Sequence, residues 1–259
     1  MAGIYKKVWA VIRVLDECSG KPVEHGCVKL TVPMGIEAVS KGDGIFLIIR
    51  TAREEKETLV PDEGCRVKYS LSGPMYETFE RELEIKGNNQ NYSIISVSMV
   101  PSVLMPPRKG MTVIEGSAEP GSKVYAACID EKKMLKITGS SEDTQRIQVY
   151  RQDRKKLDGR YVAVIADNKI TDMTVIEKDE EDGTLVLSKP FLLKDGKKDI
   201  REIYILHRAV AGDSGYFRIM IPGLASTGCD CIVKSESPES KEKDTVTQIT
   251  RGERNKIVI

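Results

Sequence analysis

The chain has 259 residues, 40% of them hydrophobic and 31% charged, the balance of a water-facing globular protein. That length exceeds one ordinary sandwich of about 100 residues, so two or three small modules are expected. Forty basic residues against 39 acidic ones leave a net charge of +1, which gives no bulk electrostatic case for nucleic acid or an anionic membrane.

Met1–Lys7 runs directly into Val8-Trp9-Ala10-Val11-Ile12, without the long apolar run and small-residue cleavage site of a secretory leader. No apolar stretch approaches the ~20 residues needed to span a bilayer. The expectation is a cytoplasmic protein before assembly into a particle, with no membrane insertion; the alternative is an extracellular or cell-surface protein whose leader has been removed.

Period-two alternation then dominates the chain. Val28, Leu30 and Val32 interleave with Lys29 and Thr31; Val67, Tyr69 and Leu71 with Lys68 and Ser70; Ile95, Val97 and Met99 with Ser96 and Ser98. Such spacing puts each apolar set on one face of a strand. Short runs of the same kind recur to Lys256–Ile259, separated by Gly, Pro, Asp and Asn clusters. The expected fold class is all-β, two or three β-sandwich modules in series. Two windows resist the pattern. Thr51–Thr58 is charged and lacks glycine, which fits either a helical turn or a long hairpin excursion. Ser140–Leu157 lacks Gly and Pro, and Ser140 with Asp143 resembles a helix start, yet Ile147, Val149 and Tyr150 fit no helical face. Residues 101–110 hold three prolines and a glycine and read as a semi-stiff linker. The remaining breaks are the charged, turn-rich Glu177–Gly183 and Lys194–Asp199, and the polar loop Ser235–Asp244.

Residues 1–100 resemble the carboxypeptidase-regulatory-like, or prealbumin-like, sandwich. The resemblance rests on strand Val8–Leu15, the turn Asp16–Val23, strand Cys27–Val32, Gly42-Asp43-Gly44-Ile45-Phe46 and Tyr69–Tyr76. Asp43-Gly44 reads as a hairpin turn ahead of a core strand. Residues 111–259 resemble bacterial Ig-like domains, through the opening hairpin at Val113–Val124 with its Glu119-Pro120-Gly121 turn, and through Asp213–Pro222. About 90 residues separate those two segments, so about 130–198 form either an insertion with its own strands or a separate module. Both families are chiefly spacer, adhesion and assembly modules, and the resemblance implies non-catalytic work.

Candidate chemistry is thin. Gly212-Asp213-Ser214-Gly215 is similar to the nucleophile segment of trypsin-like proteases, but a triad needs a histidine base and a buried acid. The two histidines are His25, in a turn, and His207, at a strand end. The acidic run Glu177–Gly183 lacks the alternating spacing of a Ca²⁺ loop and reads as a solvated hairpin tip. Arg151–Lys156, beside Tyr150, is too narrow a basic patch for nucleic acid. Asp16, Asp43 and Asp213 read as turn caps. The six cysteines, including the Cys229-Asp230-Cys231 pair, lack paired zinc spacings and are expected as free thiols.

No catalytic residue, metal ligand or cofactor is therefore expected. The function expected is that of a structural or interaction protein, an attachment or assembly component of a phage-tail-like or contractile-injection particle. Its partners would be other proteins of the assembly. The alternative is a surface adhesin or carbohydrate-binding module, with a cell-surface ligand and Tyr5, Trp9, Tyr76 and Tyr92 as the available sugar-stacking rings.

Overall fold

The computed structural model describes residues 4–52, 64–85, 92–140, 145–150, 156–191 and 200–259. Among them every regular element is a β-strand, and the fold is an all-β, sandwich-type one. The chain divides into two compact units, Met1–Asp16 with Lys21–Met99, and Glu17–Gly20 with Val100–Ile259.

The first unit contains β1 (Tyr5–Asp16), β2 (Lys29–Thr31), β3 (Ile36–Gly42), β4 (Ile45–Ala52), β5 (Cys65–Gly73), β6 (Tyr76–Ile85) and β7 (Ser93–Met99). One sheet runs β3-β4-β1-β7 and the other β2-β5-β6. All pairings are antiparallel except that of β1 with β7, which is parallel from Ala10↔Ser93 to Asp16↔Met99. The alternation legible in β5 is realised directly: Val67, Tyr69 and Leu71 are buried while Arg66 and Lys68 are exposed. Ile12, Ile48, Leu71 and Met99 are fully buried. Burying each such side chain contributes roughly 1.5–3 kcal/mol. Asp43 and Gly44 take φ values of 46° and 68°, the doubly positive pattern of a tight hairpin turn. A Cβ on Gly44 would lie 2.3 Å from the Val14 carbonyl oxygen, so a side chain there is blocked by backbone. Asp16 accepts a hydrogen bond from the Tyr76 hydroxyl at 3.0 Å.

The second unit contains β8 (Thr112–Ser117), β9 (Lys123–Cys128), β10 (Met134–Ser140), β11 (Arg146–Tyr150), β12 (Tyr161–Ala166), β13 (Lys169–Asp179), β14 (Thr184–Leu187), β15 (Glu202–Val210), β16 (Tyr216–Ile221), β17 (Gly228–Glu236), β18 (Glu242–Thr250) and β19 (Arg254–Val258). Sheets β16-β8-β19 and β15-β9-β17-β18 enclose a core of Ile114, Val124, Phe217, Ile219 and Val233. Strands β10 to β14 all lie in the connection between β9 and β15. Their pairing order β10-β11-β14-β13-β12-β15, with the added pairing β10–β15, closes a six-stranded antiparallel barrel. Leu135, Ile147, Val162, Ile176, Leu185 and Ile203 fill it. Strand β15 belongs to both bodies. Its first half pairs with β10 and β12 through Glu202–Ile205, and its second half pairs with β9 through Leu206–Val210.

One expectation changes here. Arg146–Tyr150, inside the window that resembled a short helix, is strand β11. Ile147 and Val149 are buried and Gln148 exposed, so period two wins because the barrel takes both apolar side chains. Residues 141–144 and 151–155 lie outside the described residues, as do 53–58 of the other ambiguous window, whose Thr51 and Ala52 finish β4. Within the proline-rich segment, a turn closes from Met105 N–H to Ser102 O at 3.0 Å.

Candidate functional site

The second unit contains a cleft of about 480 Å3 lined by Lys133, Leu135, Leu157, Arg160, Ile205 and Pro222, among others. Its position follows from the way one strand serves two bodies. Strands β9 and β10 run along the same edge of β15, and Ile129–Lys133 bulges out between them, with Ile205 N–H donating to Lys133 O at 2.8 Å.

Aspartates hold the surrounding loops. Asp130 accepts from Lys132 N–H at 3.0 Å, and from Ala225 N–H, Ser226 N–H and the Ser226 hydroxyl at 2.9, 3.1 and 2.9 Å. Burial works against the Asp130 carboxylate, but these donors outweigh it and hold its pKa below the usual value. Asp158 accepts from Asp179 N–H at 3.0 Å, and Asp179 accepts from Leu157 N–H at 2.8 Å. The Lys133 ammonium donates to Pro222 O at 2.5 Å, and Arg160 donates to Glu17 O.

Glu17, within the turn Glu17–Gly20, is 2% exposed. It accepts from Arg208 N–H at 3.1 Å and from the Arg208 guanidinium through Nε at 2.9 Å and through Nη2. The guanidinium carbon also lies 4.0 Å from the Tyr161 ring centroid, a cation–π geometry.

Among the described residues His207 is one of the buried groups without a hydrogen bond. It is 1% exposed, and neither ring nitrogen has a hydrogen-bond partner. It lies inside β15 rather than at its end, on the strand face shared with the barrel residue Ile205 and the sandwich residue Ala209. Burial, then the charges of Lys133 and Arg160, push its pKa well below the ordinary value. The ring is neutral at pH 7.

The serine-protease likeness does not become a triad. Gly212–Gly215 forms the turn before β16, with Gly215 N–H donating to Gly212 O at 2.8 Å and the Ser214 hydroxyl accepting from Tyr216 N–H at 3.4 Å. His207, with no hydrogen bond at either nitrogen, does not serve Ser214 as a base. His25 is exposed in the turn after Val23.

In the acidic run, Glu180 pairs with Arg146 at 2.6 Å and Lys178 at 3.0 Å, Asp182 caps Thr184 N–H at 2.9 Å, and Asp179 is buried. Of the basic patch Arg151–Lys156, Lys156 alone lies among the described residues, where it donates to Asp179 O at 2.7 Å. Trp9 and Tyr76 are core residues at 7% and 8% exposure, so two of the four rings considered for sugar stacking are not on the surface. Among the described residues, no group of three or more His, Cys, Asp or Glu side chains is placed to hold a metal ion, and no helix is long and apolar enough to cross a membrane.

The sequence did not single out Lys133, Arg160 or Glu17. Charged residues in turns ordinarily face water, and only the strand pairing reveals that these three do not. No family model matches the chain, and comparison with curated proteins gives no match.

Proposed function

We propose that this chain is a non-catalytic structural and interaction protein that carries load within a multi-protein assembly. The observation behind this reading is the parallel pairing of the first and last strands in both sandwiches. Strand β1 pairs with β7 over Ala10↔Ser93 to Asp16↔Met99, and β8 pairs with β19 over Val113↔Arg254 to Ser117↔Val258. In a parallel ladder the start of one strand and the end of the other lie at opposite ends. Tension between those points loads every interstrand hydrogen bond together in shear. An antiparallel hairpin pulled from its open end breaks its bonds one after another.

The outer strands supply contacts of the kind an assembly uses. Among the described residues strand β18 is an edge strand; it opens with Glu242-Lys243-Asp244, is mostly β-branched from Thr245 to Thr250 and leaves Val246 48% exposed. Its unpaired backbone side offers a further strand a template.

The reading is tested by sedimenting a native extract through a density gradient and following the chain with an antibody. It predicts that the chain travels with a large particle in fixed ratio to other proteins. A chain that sediments only as a free monomer in every fraction contradicts it.

A further inference from the structure

Three of the six cysteines converge in the second sandwich. Cys128 of β9 and Cys231 of β17 face each other as cross-strand partners, with their sulfurs 3.7 Å apart. Ile129 N–H donates to Asp230 O at 2.8 Å, so the neighbouring pair carries the ladder bond and Cys128↔Cys231 is a non-hydrogen-bonded pair. Facing Cα atoms at such pairs approach to about 4.5 Å, within the roughly 4.4–6.8 Å that a disulfide spans. Cys229 lies two residues from Cys231 on the same strand face and hydrogen-bonds with Cys128. All three are reduced. Cys128 and Cys231 are fully buried, whereas Cys229 is half-buried. Accessibility therefore falls from Cys229 inward to the facing pair.

We propose that Cys128 and Cys231 form an oxidative cross-linking site, and that Cys229 is the thiol through which a hydroperoxide reaches it. The Cys229 sulfur attacks one oxygen of the hydroperoxide. The O–O bond breaks, an S–O bond forms, and an alcohol (water, from hydrogen peroxide) leaves with the thiol proton. The Cys128 sulfur then attacks the sulfenic sulfur, forming a disulfide while the S–O bond breaks and hydroxide leaves as water with the Cys128 proton. Last, the Cys231 sulfur attacks the Cys128 sulfur, moves the bond to the facing pair, and returns its proton to Cys229. Two thiols have then lost two electrons and two protons, and the hydroperoxide has become alcohol and water. Hydrogen bonding to Cys128, and then burial, raise the Cys229 pKa, so the thiol is mostly protonated and the first step is slow. The product is a covalent tie between β9 and β17 that closes a loop between residues 103 apart in sequence. The proposal does not depend on the load-bearing reading.

The test uses the full chain, folded, treated with hydrogen peroxide, then denatured, alkylated and mapped by tandem mass spectrometry. Cleavage around Asp230 distinguishes Cys229 from Cys231. The expected product links Cys128 to Cys231, leaves Cys229 open to alkylation, and reverts with dithiothreitol. Cys128→Ser abolishes the intramolecular bond. Cys229→Ser retains the bond but slows its formation roughly tenfold, because the oxidant must then reach a buried sulfur. The proposal is overturned if Cys128 and Cys231 are both alkylated after oxidation of the wild-type chain, a result that needs no variant to fold. An unchanged rate in Cys229→Ser, with unaltered circular dichroism, overturns the role of Cys229.

Discussion

In the first unit, β1 lies between β4, antiparallel, and β7, parallel; in the second, β8 lies between β16, antiparallel, and β19, parallel. The opposite sheets agree as well, with order β2-β5-β6 in one and β9-β17-β18 in the other. The match extends to single residues. Gly44 and Phe46 open β4 as Gly215 and Phe217 open β16. Val14 N–H donates to Gly44 O at 2.7 Å, and Ala118 N–H to Gly215 O at 2.9 Å. A Cβ on either glycine would strike a first-strand carbonyl oxygen or its continuation, at 2.3 Å from Val14 O and 2.4 Å from Ala118 O. The third strand breaks the correspondence. Strand β3 pairs with β4 through the tight Asp43-Gly44 turn, whereas β15 pairs with β9 in the other sheet. A short hairpin ties a strand to its successor in sequence. The barrel instead fixes the first half of β15, and the second half follows its edge onto β9. What precedes the third strand thus decides which sheet it joins.

The largest expected effect tests whether the two phenylalanines are equivalent. Phe217→Ala and Phe46→Ala should each destabilise their own unit by about 3–5 kcal/mol, read as a downward shift of one calorimetric transition. A substitution with no effect on either transition breaks the comparison.

Glu17→Gln leaves the Arg208 guanidinium without its carboxylate and should cost the second unit about 3 kcal/mol in urea unfolding. A cost under a few tenths of a kcal/mol would show that this pair contributes nothing.

Gly44→Ala and Gly215→Ala come next. Both glycines have positive φ, 68° and 76°, and both are blocked by backbone, so each substitution should cost about 2 kcal/mol. Unequal costs would separate the two turns.

The smallest effect is one of pH. His207 is held neutral in the fold while its unfolded pKa is about 6.5, so the unfolded chain binds the extra proton. Stability from this group is complete above pH 6.5 and falls by at most about 1.4 kcal/mol per unit below it, until the depressed folded pKa is reached. Chemical denaturation of the second unit at pH 7 and pH 5.5 measures the slope, which His207→Leu should remove.

Much of this architecture could be read from the residues. Val67, Tyr69 and Leu71 announce β5, and Asp43-Gly44 announces the β3–β4 turn. Such signals are local, a period or a dipeptide. The barrel is not local. Its closure depends on β15 being used twice, and nothing in Glu202–Val210 distinguishes a strand with two sets of partners from a long strand with one. The short β11 was obscured because only Ile147 and Val149 mark it. The cleft was hidden for the same reason as the thiol site. Lys133 and Arg160 are buried by strand order, and Cys128 meets Cys231 across 103 positions.

The load-bearing account is tested most directly by stretching the chain from its two ends in a single-molecule force experiment. It predicts two abrupt, cooperative ruptures, one for each parallel strand pair, with the barrel's length released only after β8 parts from β19. Proline at Lys256, within β19, should weaken one rupture and spare the other. Gradual extension at low force without abrupt ruptures, or release of the barrel first, would contradict it.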